Sequence, residues 1–549
     1  MKLNRNALKA AAAVFALVLA GCASKQSATI DPAKAVYSLA PVARGAQKPA
    51  EGVYYCIFVR SFADSNGDGI GDFKGMTAKL DYLNDGNDLT TNDLGVTGLW
   101  LMPIFVSQTY HGYNVDDYYN IQPDYGTMAD FEEFVTEAGK RGISVILDMT
   151  CNHSSTYTDW FVKSRDPASP YRSWYRWANE GDTRYNLGQR IWGHNVWNKT
   201  KNGYYAAIFD SGMPDFNLSN PEVRAEFKKI SKYWMDKGVD GFRFDAAGHV
   251  FNAAKLAVGE PSQEQGVAWW KELVGYIHTV RPDAYTVGEV WEQSGTRADF
   301  MRGLQSTFHF DLGPKIVDAI REGSGGQNNI ANSLYGDYQT YAAANPDYID
   351  APFLTNHDQN RISGMLRGQP DQLKLAASIY ILAEGVPFIY YGEEIGLMGA
   401  KPDEQIRTPM LWNLPGKDKM QTSWVESKYN KNTIPVALQV KDPESTLQYY
   451  KRLIRAKTEH SALYAGRMRP VFTGESSVVS WSMESANEKA FVMHNLSTAA
   501  VTVKIPQEGC SADGKPFPLV FAGYAETVVN PDGTVTIPAR GSLVLAASK

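Results

Sequence analysis

Cysteine is scarce in this chain, with four residues in 549. Cys22 stands near the start, and Cys56, Cys151 and Cys510 lie far apart, so no dense disulfide framework staples the fold. Cys56 and Cys151 sit in strand-like runs, where a buried free thiol is the plain reading. A basic excess is missing too. Lys and Arg number 54 against 60 Asp and Glu, a net charge of −6. That balance, with no long basic run, argues against a nucleic-acid partner, whose backbone needs a basic face. No apolar run reaches the length that crosses a bilayer. No glycine-rich phosphate loop follows a strand, so nicotinamide or phosphate chemistry has little support. Tandem repeats are absent as well.

Aromatic side chains are plentiful: 12% of the chain, including 13 Trp and 30 Tyr. Sugar-recognising surfaces use such side chains, and so do cores. The first residues stand apart from the rest. Lys2, Arg5 and Lys9 precede an apolar run that ends in Leu19-Ala20-Gly21-Cys22. Residues 1–21 resemble a bacterial lipoprotein signal, which implies cleavage before Cys22 and a lipid on its sulfur. Residues 22–49 read as a flexible tether. Ala23 and Ser24, with no early Asp, resemble the enterobacterial sorting pattern for the outer membrane, on its periplasmic or surface face. The expectation is a chain anchored to a membrane rather than spanning one.

From Val53 onward, strand-like and helix-like runs alternate. Eight strand candidates occur in order: VYYCIFVRSF, GVTGLWLMPI, ISVILDMTCNH, VDGFRFDAA, AYTVGEVW, STFHFDL, APFLTNHD and VPFIYYGEEIGL. Each is followed by a plausible helix. This predicts an α/β fold, a (β/α)8 TIM barrel over residues 50–153 and 218–465, with a doubly wound sheet as the alternative. Residues 154–217 are rich in Trp, Tyr, Asn and Gly and too long for a structureless connection. They read as a small domain inserted after the third strand. From 466 to 549 the pattern becomes short alternating strands with Gly and Asn turns, which predicts a C-terminal antiparallel β-sandwich.

In a barrel, chemistry gathers at the C-terminal ends of the strands. Asp148, Asn152 and His153 end strand three, and Arg243, Asp245 and His249 end strand four. Glu289 ends strand five; His357 and Asp358 end strand seven. Arg243 and Asp245 are two apart on a strand and so share a face. Two close carboxyl groups suit glycoside hydrolysis, one attacking the anomeric carbon while the other protonates the leaving oxygen. On this reading Asp245 is the nucleophile, Arg243 keeps it charged, and Glu289 is the acid and then the base.

The same residues carry a resemblance to glycoside hydrolase family 13, the α-amylase family, from about Tyr54 to Lys549. DMTCNH, GFRFDAAGH, GEVW and TNHD resemble its four ordered regions, and GYNVDDYY, FIYYGEEIG and IRTPMLW complete the likeness. The resemblance implies nucleophile Asp245, acid-base Glu289 and transition-state stabiliser Asp358. It implies substrate contacts from Tyr113, His153, Arg243, His249 and His357. MPDFN, Met213 to Asn217, resembles the form found between plain α-amylases and neopullulanase or oligo-1,6-glucosidase types. The expected reaction is retaining, endo-acting hydrolysis of α-1,4 links in starch, glycogen or maltodextrins. The alternatives are a 4-α-glucanotransferase or neopullulanase-like enzyme and, more distantly, a non-catalytic glucan-binding lipoprotein. Two departures bear on specificity: Gly248 stands where many α-amylases carry a lysine, and Asn114 where a carboxylate is common. Trp192, Trp197, Tyr204 and Tyr205 of the insertion either line sugar subsites or fill a small core.

The stretch DSNGDGIGDFKG places Asp64, Asn66, Asp68, Ile70 (through its carbonyl) and Asp72 at alternate positions. That spacing fits a calcium loop with Gly69 at its sharp turn, although Gly75 replaces the closing Glu of an EF-hand. It resembles the calcium loop of oligo-1,6-glucosidase-like relatives, with a surface turn rich in Asp and Asn as the alternative. The ion would be structural. A second calcium between barrel and insertion, as in many α-amylases, would use Asn152, but it is not among the expected sites. No protein partner is implied.

Overall fold

A computed structural model describes residues 48–251, 262–324 and 330–549. Cys22, the signal-like segment and nearly all of the tether lie outside them. Eight strands form one sheet: β1 (Tyr54–Ile57), β2 (Gly98–Leu101), β3 (Ser144–Thr150), β4 (Gly241–Asp245), β5 (Tyr285–Gly288), β6 (Ser306–Phe308), β7 (Ile349–Ala351) and β8 (Phe388–Tyr390). All neighbours are parallel, in chain order from β1 to β7, with β8 beside β1. Between β7 and β8 the ring is completed by backbone bonds from Val386 N to Asp350 O and from Phe388 N to Pro352 O, each 2.9 Å. The sheet is a (β/α)8 barrel rather than a doubly wound open sheet.

Strands buried on both faces read as continuous apolar runs, which is why the alternation was visible. The barrel is filled by aromatic rings. Tyr54 stacks on Phe388 with centroids 5.0 Å apart and tilts against Tyr285 at 5.3 Å; Trp100 meets Phe308 at 5.3 Å. Gly98 makes room for this layer, since a Cβ there would fall 2.5 Å from the Tyr54 ring. Cys56 and Cys151 are buried free thiols. The outer helices start as their sequences dictate. Asn220 caps helix Pro221–Asp236 by accepting from Glu222 N at 2.8 Å, with Pro221 at the first position. Thr127 and Asp130 close a reciprocal capping box on helix Met128–Lys140. No helix among the described residues is long and apolar enough to cross a membrane.

Between β3 and helix Pro221–Asp236 the chain builds a three-stranded sheet, in the order Trp177–Ala178, Gly203–Ala206, Trp197–Thr200, and a tiny hairpin of Arg190–Ile191 and His194–Asn195. Its own core holds Ala178, Val196, Trp197, Ala206 and Ile208. The C-terminal region carries a five-stranded and a three-stranded antiparallel sheet. Phe491, Met493, Leu543 and Leu545 of the larger sheet pack against Val503, Val535 and Ile537 of the smaller one. Residues on the other face of the larger sheet, such as Val479, Trp481 and Val492, belong to the main core that includes the barrel.

Candidate active site

The site is organised by one guanidinium. Arg243 lies wholly buried on β4. Its Nη1 donates to Asp148 Oδ1 and Oδ2, at 2.9 and 3.1 Å, and to Asp245 Oδ1 at 2.7 Å. Its Nη2 donates to Glu289 Oε2 at 2.6 Å. Sheet register explains the first contact: Arg243 pairs with Asp148 across β3 and β4, so both point into the barrel at one level. Glu289 follows β5 directly, and its Oε2 also accepts from Ala246 N at 3.0 Å. Ala246 holds φ +48°, a left-handed conformation that costs an L residue energy. The turn aims its N–H at Glu289 immediately after Asp245.

Burial dominates the electrostatics. It pushes Asp245 and Glu289 each up to about 7 and Asp148 up to about 6, with Arg243 opposing in every case. The charges of Asp148 and Asp358 raise Asp245 further, and those of Asp245 and Asp358 raise Glu289, so these carboxyl groups titrate as a coupled set. Asp358 behaves differently. Burial raises its carboxyl, but His357, Arg407 and Arg243 together outweigh that and hold it below the usual range. Arg407 Nη2 lies 3.0 Å from Asp358 Oδ1 and 3.0 Å from Asp403 Oδ2, and its Nε donates to His357 O at 2.9 Å.

Tyr113 shares the same network. Its hydroxyl donates to Asp148 Oδ2 at 3.2 Å and lies 2.5 Å from His357 Nε2, and the two rings stack at 5.5 Å. Burial pushes His153 and His357 down to about 3 and His111 down to about 4, so these rings are neutral at physiological pH. His153 Nε2 and His357 Nδ1 are buried without a hydrogen-bond partner. An orphaned polar atom beside a cleft is a place for a ligand's hydroxyl group. The cleft measures about 690 Å³, and Tyr113, His153, Asp245, His249, Glu289 and Asp358 all line it. Arg243 supports the carboxyl groups from beneath. All eight sugar-site residues expected from the sequence therefore meet at one end of the barrel.

The insertion divides its aromatics as the sequence could not. Trp197 and Tyr205 are buried, and Tyr204 packs on the small core. Trp192 is exposed on the cleft. Sequence reasoning does not single out His111, Phe209, Trp291, Asp403 or Arg407, which also line the cleft. Arg407 lies in the quoted IRTPMLW segment, but its partners are far away in the chain. Asn114 Nδ2 donates to Gly212 O at 3.2 Å, and Asn152 Nδ2 to Asp215 Oδ1 at 3.2 Å.

These findings can be set beside known proteins. The family described as "Alpha amylase, catalytic domain" matches residues 56–466. The chain belongs to the alpha-amylase family. Alpha-amylase 3 of Dictyoglomus thermophilum is 41% identical over 459 residues, covering 83% of this chain and 87% of that protein. A 4-alpha-glucanotransferase of Thermotoga maritima is 30% identical over 450 residues, covering 81% and 95%. The crystal structure of the alpha-amylase from H. orenii superposes with a TM-score of 0.82 at 40% identity, covering 91% of this chain and all of that one. As an alpha-amylase family member the chain is a glycoside hydrolase of α-amylase type.

Two places in this family member bear on metals. The Asp64–Asp72 loop is curled by its own side chains: Asp64 accepts from Asn66, Gly67 and Gly69 N–H groups at 3.0, 2.6 and 2.7 Å. Asp68 and Asp72 accept from Ile70 N and Ser65 N, each at 2.8 Å. The donors on offer are carboxylate, amide and carbonyl oxygens, the hard set that calcium takes. The second place is the group of buried His309 and Asp337 with half-buried Asp311, whose ligand atoms lie within 4.8 Å of one another. There Lys315 Nζ already stands 2.6 Å from Asp311, and Arg297 Nη1 also 2.6 Å from it. Protein cations thus balance that group.

Proposed function

We propose that this alpha-amylase family enzyme is a retaining, endo-acting hydrolase of α-1,4 links in starch, glycogen or maltodextrins. The observation that carries the reading is the single guanidinium of Arg243 shared between Asp245 and Glu289. It holds the two carboxyl groups side by side, as a covalent route requires. Where the pair carries one proton, it supplies one anion and one acid at the same pH. Asp245 attacks the anomeric carbon while Glu289 gives its proton to the departing oxygen. The new C–O ester bond then breaks as Glu289 takes a proton from water and the water oxygen bonds to that carbon. Asp358, kept ionised by Arg407, accepts from hydroxyls of the flattening sugar ring, and bonds that tighten there lower the barrier. Tyr113 offers the ring a flat apolar face. His153 and His249 reach the same sugar's hydroxyls.

The 4-alpha-glucanotransferase among the relatives supports one alternative, in which a sugar hydroxyl replaces water in the second step. A product time course on maltoheptaose and pullulan, beside Glu289→Gln, tests the reading. Shorter products of retained α-configuration, with turnover lost in the variant, support it. Products longer than maltoheptaose favour the transferase, and binding without any turnover leaves only a glucan-binding lipoprotein.

We propose two accompaniments. Calcium binds the loop of Asp64, Asn66, Asp68, the Ile70 carbonyl and Asp72, and shores up the turn after β1 without entering the chemistry. The Cys22 sulfur carries lipid and anchors the enzyme to the outer membrane. Cys22→Ser should then move the protein from the membrane to the soluble fraction.

A further inference from the structure

The loop after β8 brings Arg407 to the site on very little regular structure. Between Tyr391 and Ser445 its regular elements are helical turns of three or four residues, at Glu393–Ile395, Asp403–Ile406 and Val436–Gln439. Buried carbonyls in such a loop need donors from elsewhere. Around Arg407 they find them in side chains. Ile406 O accepts from Arg361 Nε at 2.8 Å and from the Tyr390 hydroxyl at 3.1 Å. Arg407 O accepts from Ser61 Oγ. Thr408 O accepts from the Tyr391 hydroxyl at 2.8 Å. Three successive carbonyls are thus each held by side chains from the ends of β1, β7 and β8. Ser61, Arg361, Tyr390 and Tyr391 are all buried.

The residue in the middle of this clamp is the one that reaches the chemistry. Arg407 Nη2 donates to Asp358 Oδ1 at 3.0 Å, and Nε donates to His357 O at 2.9 Å. A long side chain has much rotamer freedom, so its guanidinium is placed only where packing and the backbone are both fixed. The Ser61 end of the clamp is anchored again further along the same loop. Ser61 O accepts from Met410 N at 2.8 Å and from Thr422 Oγ1 at 3.1 Å, and Trp424 Nε1 donates to Ser61 Oγ at 2.8 Å. Apolar side chains alone would bury such a loop. Donors aimed at three successive carbonyls also fix where it lies.

We propose that Ser61 and Tyr391, together with Arg361, are positioning residues for the reaction: they fix the backbone at 406–408 so that Arg407 holds Asp358 in place for the transition state. The proposal rests on the hydrolase reading above. Arg407 and Asp358 line the cleft, and the three residues act from behind them, through Arg407. The Asp358 side chain is 31% exposed, so water competes for it and the Arg407 contact decides where its carboxyl stands. Asp358 accepts most strongly from the sugar as the ring flattens. A displaced Asp358 therefore costs turnover rather than ground-state binding. Misplacing such a group by about 1 Å costs on the order of 100-fold in rate, even when the change lies far from the chemistry.

The test deletes single oxygen atoms in the full chain. Ser61→Ala and Tyr391→Phe should each lower kcat on maltoheptaose by about 10- to 100-fold, with KM and the Kd of maltotriose nearly unchanged. Affinity for acarbose, whose flattened ring and cationic nitrogen imitate the transition state, should fall in step with kcat/KM. Tyr450→Phe removes an equally buried hydroxyl, one that donates to Glu393 at 2.8 Å; it should lower Tm and keep kcat. An Arg407→Gln enzyme can be followed on α-maltotriosyl fluoride, whose fluoride leaves without a proton. Adding either deletion there should cost little more, because the path through Arg407 is already cut. Three results would each overturn the clamp while leaving the hydrolase intact: losses that multiply in the Arg407→Gln background, maltotriose affinity falling as far as kcat, or Tyr450→Phe losing as much kcat. A wild-type enzyme that turns over neither donor would remove the hydrolase reading and the clamp with it.

Discussion

Replacing Arg243 by Gln removes one cation from three buried carboxyl groups. The guanidinium reaches Asp148, Asp245 and Glu289 at 2.9, 2.7 and 2.6 Å. Removing one partner of a buried ion pair costs about 3–5 kcal/mol, because the remaining charge is left in an apolar setting. Part of that cost is avoided by taking up protons. Arg243 lowers all three carboxyl groups, and Asp245 and Glu289 still sit at about 7 with it present. Without it they move higher. A carboxyl raised by folding binds its proton more tightly in the native state. Its contribution to stability is therefore present in acid and lost as pH rises toward the folded value. For each such group stability falls by about 1.4 kcal/mol per pH unit across that window. In the wild type the window for this pair closes near pH 7; in the variant it extends above. The deficit in Tm of Arg243→Gln should accordingly be larger at pH 8 than at pH 5, by calorimetry. The acid limb of kcat/KM on α-maltotriosyl fluoride should also move to higher pH, since an ionised nucleophile becomes harder to obtain. Arg243→Lys keeps the charge but cannot span both branches of the site, so it should recover stability better than activity. A Tm deficit of equal size at both pH values, with an unmoved acid limb, would refute this account of the guanidinium.

His309 offers a test of opposite location and known sign. It is buried, and its ring is raised to about 8, burial opposing and Asp350 and Asp337 prevailing. Asp311 and Arg297 also face it. Its stabilising share is complete below about 6.5 and lost as pH climbs through about 8, so His309→Asn should flatten the dependence of Tm on pH between those values. A chelator should lower the Tm of the enzyme, and Asp64→Ala should lower it in calcium buffer and abolish the chelator's effect; an identical response in both proteins would place the ion elsewhere. Glu393, raised to about 8 by burial and accepting from Tyr380 and Tyr450 at 2.8 Å each, should give a Glu393→Gln variant whose stability relative to wild type improves as pH rises from 5 to 8, read by the same melts.

Much of the barrel and its polar centre was legible because both obey short-range rules. A strand buried on both faces is written as an apolar run, and a barrel brings the residue after each run to one end. Asp148, Arg243, Asp245, Glu289, His357 and Asp358 all follow from that single step. Arg407 does not. It reaches Asp358 and the His357 carbonyl from a loop after β8, and nothing local in IRTPMLW says where that loop folds back. The proline that follows and the apolar flanks mark the Arg as held, which is the signal that was there to use. Trp192 and Trp197 illustrate a second limit. They lie five positions apart in similar surroundings, yet a left-handed tip and a strand send one to the cleft and the other to a core. Side-chain direction of that kind depends on the turn between them, and Gly193 is its only local mark.

The five-stranded sheet at the C-terminus is a party wall. One face, with Phe491 and Leu545, closes the sandwich, and the other, with Trp481 and Val492, closes the core of the barrel side. A chain cut near residue 466 would strip the larger unit of part of its own interior as well as losing the smaller one. The two units are therefore bound into one cooperative act of melting, and a calorimeter should trace a single heat-absorption peak over both.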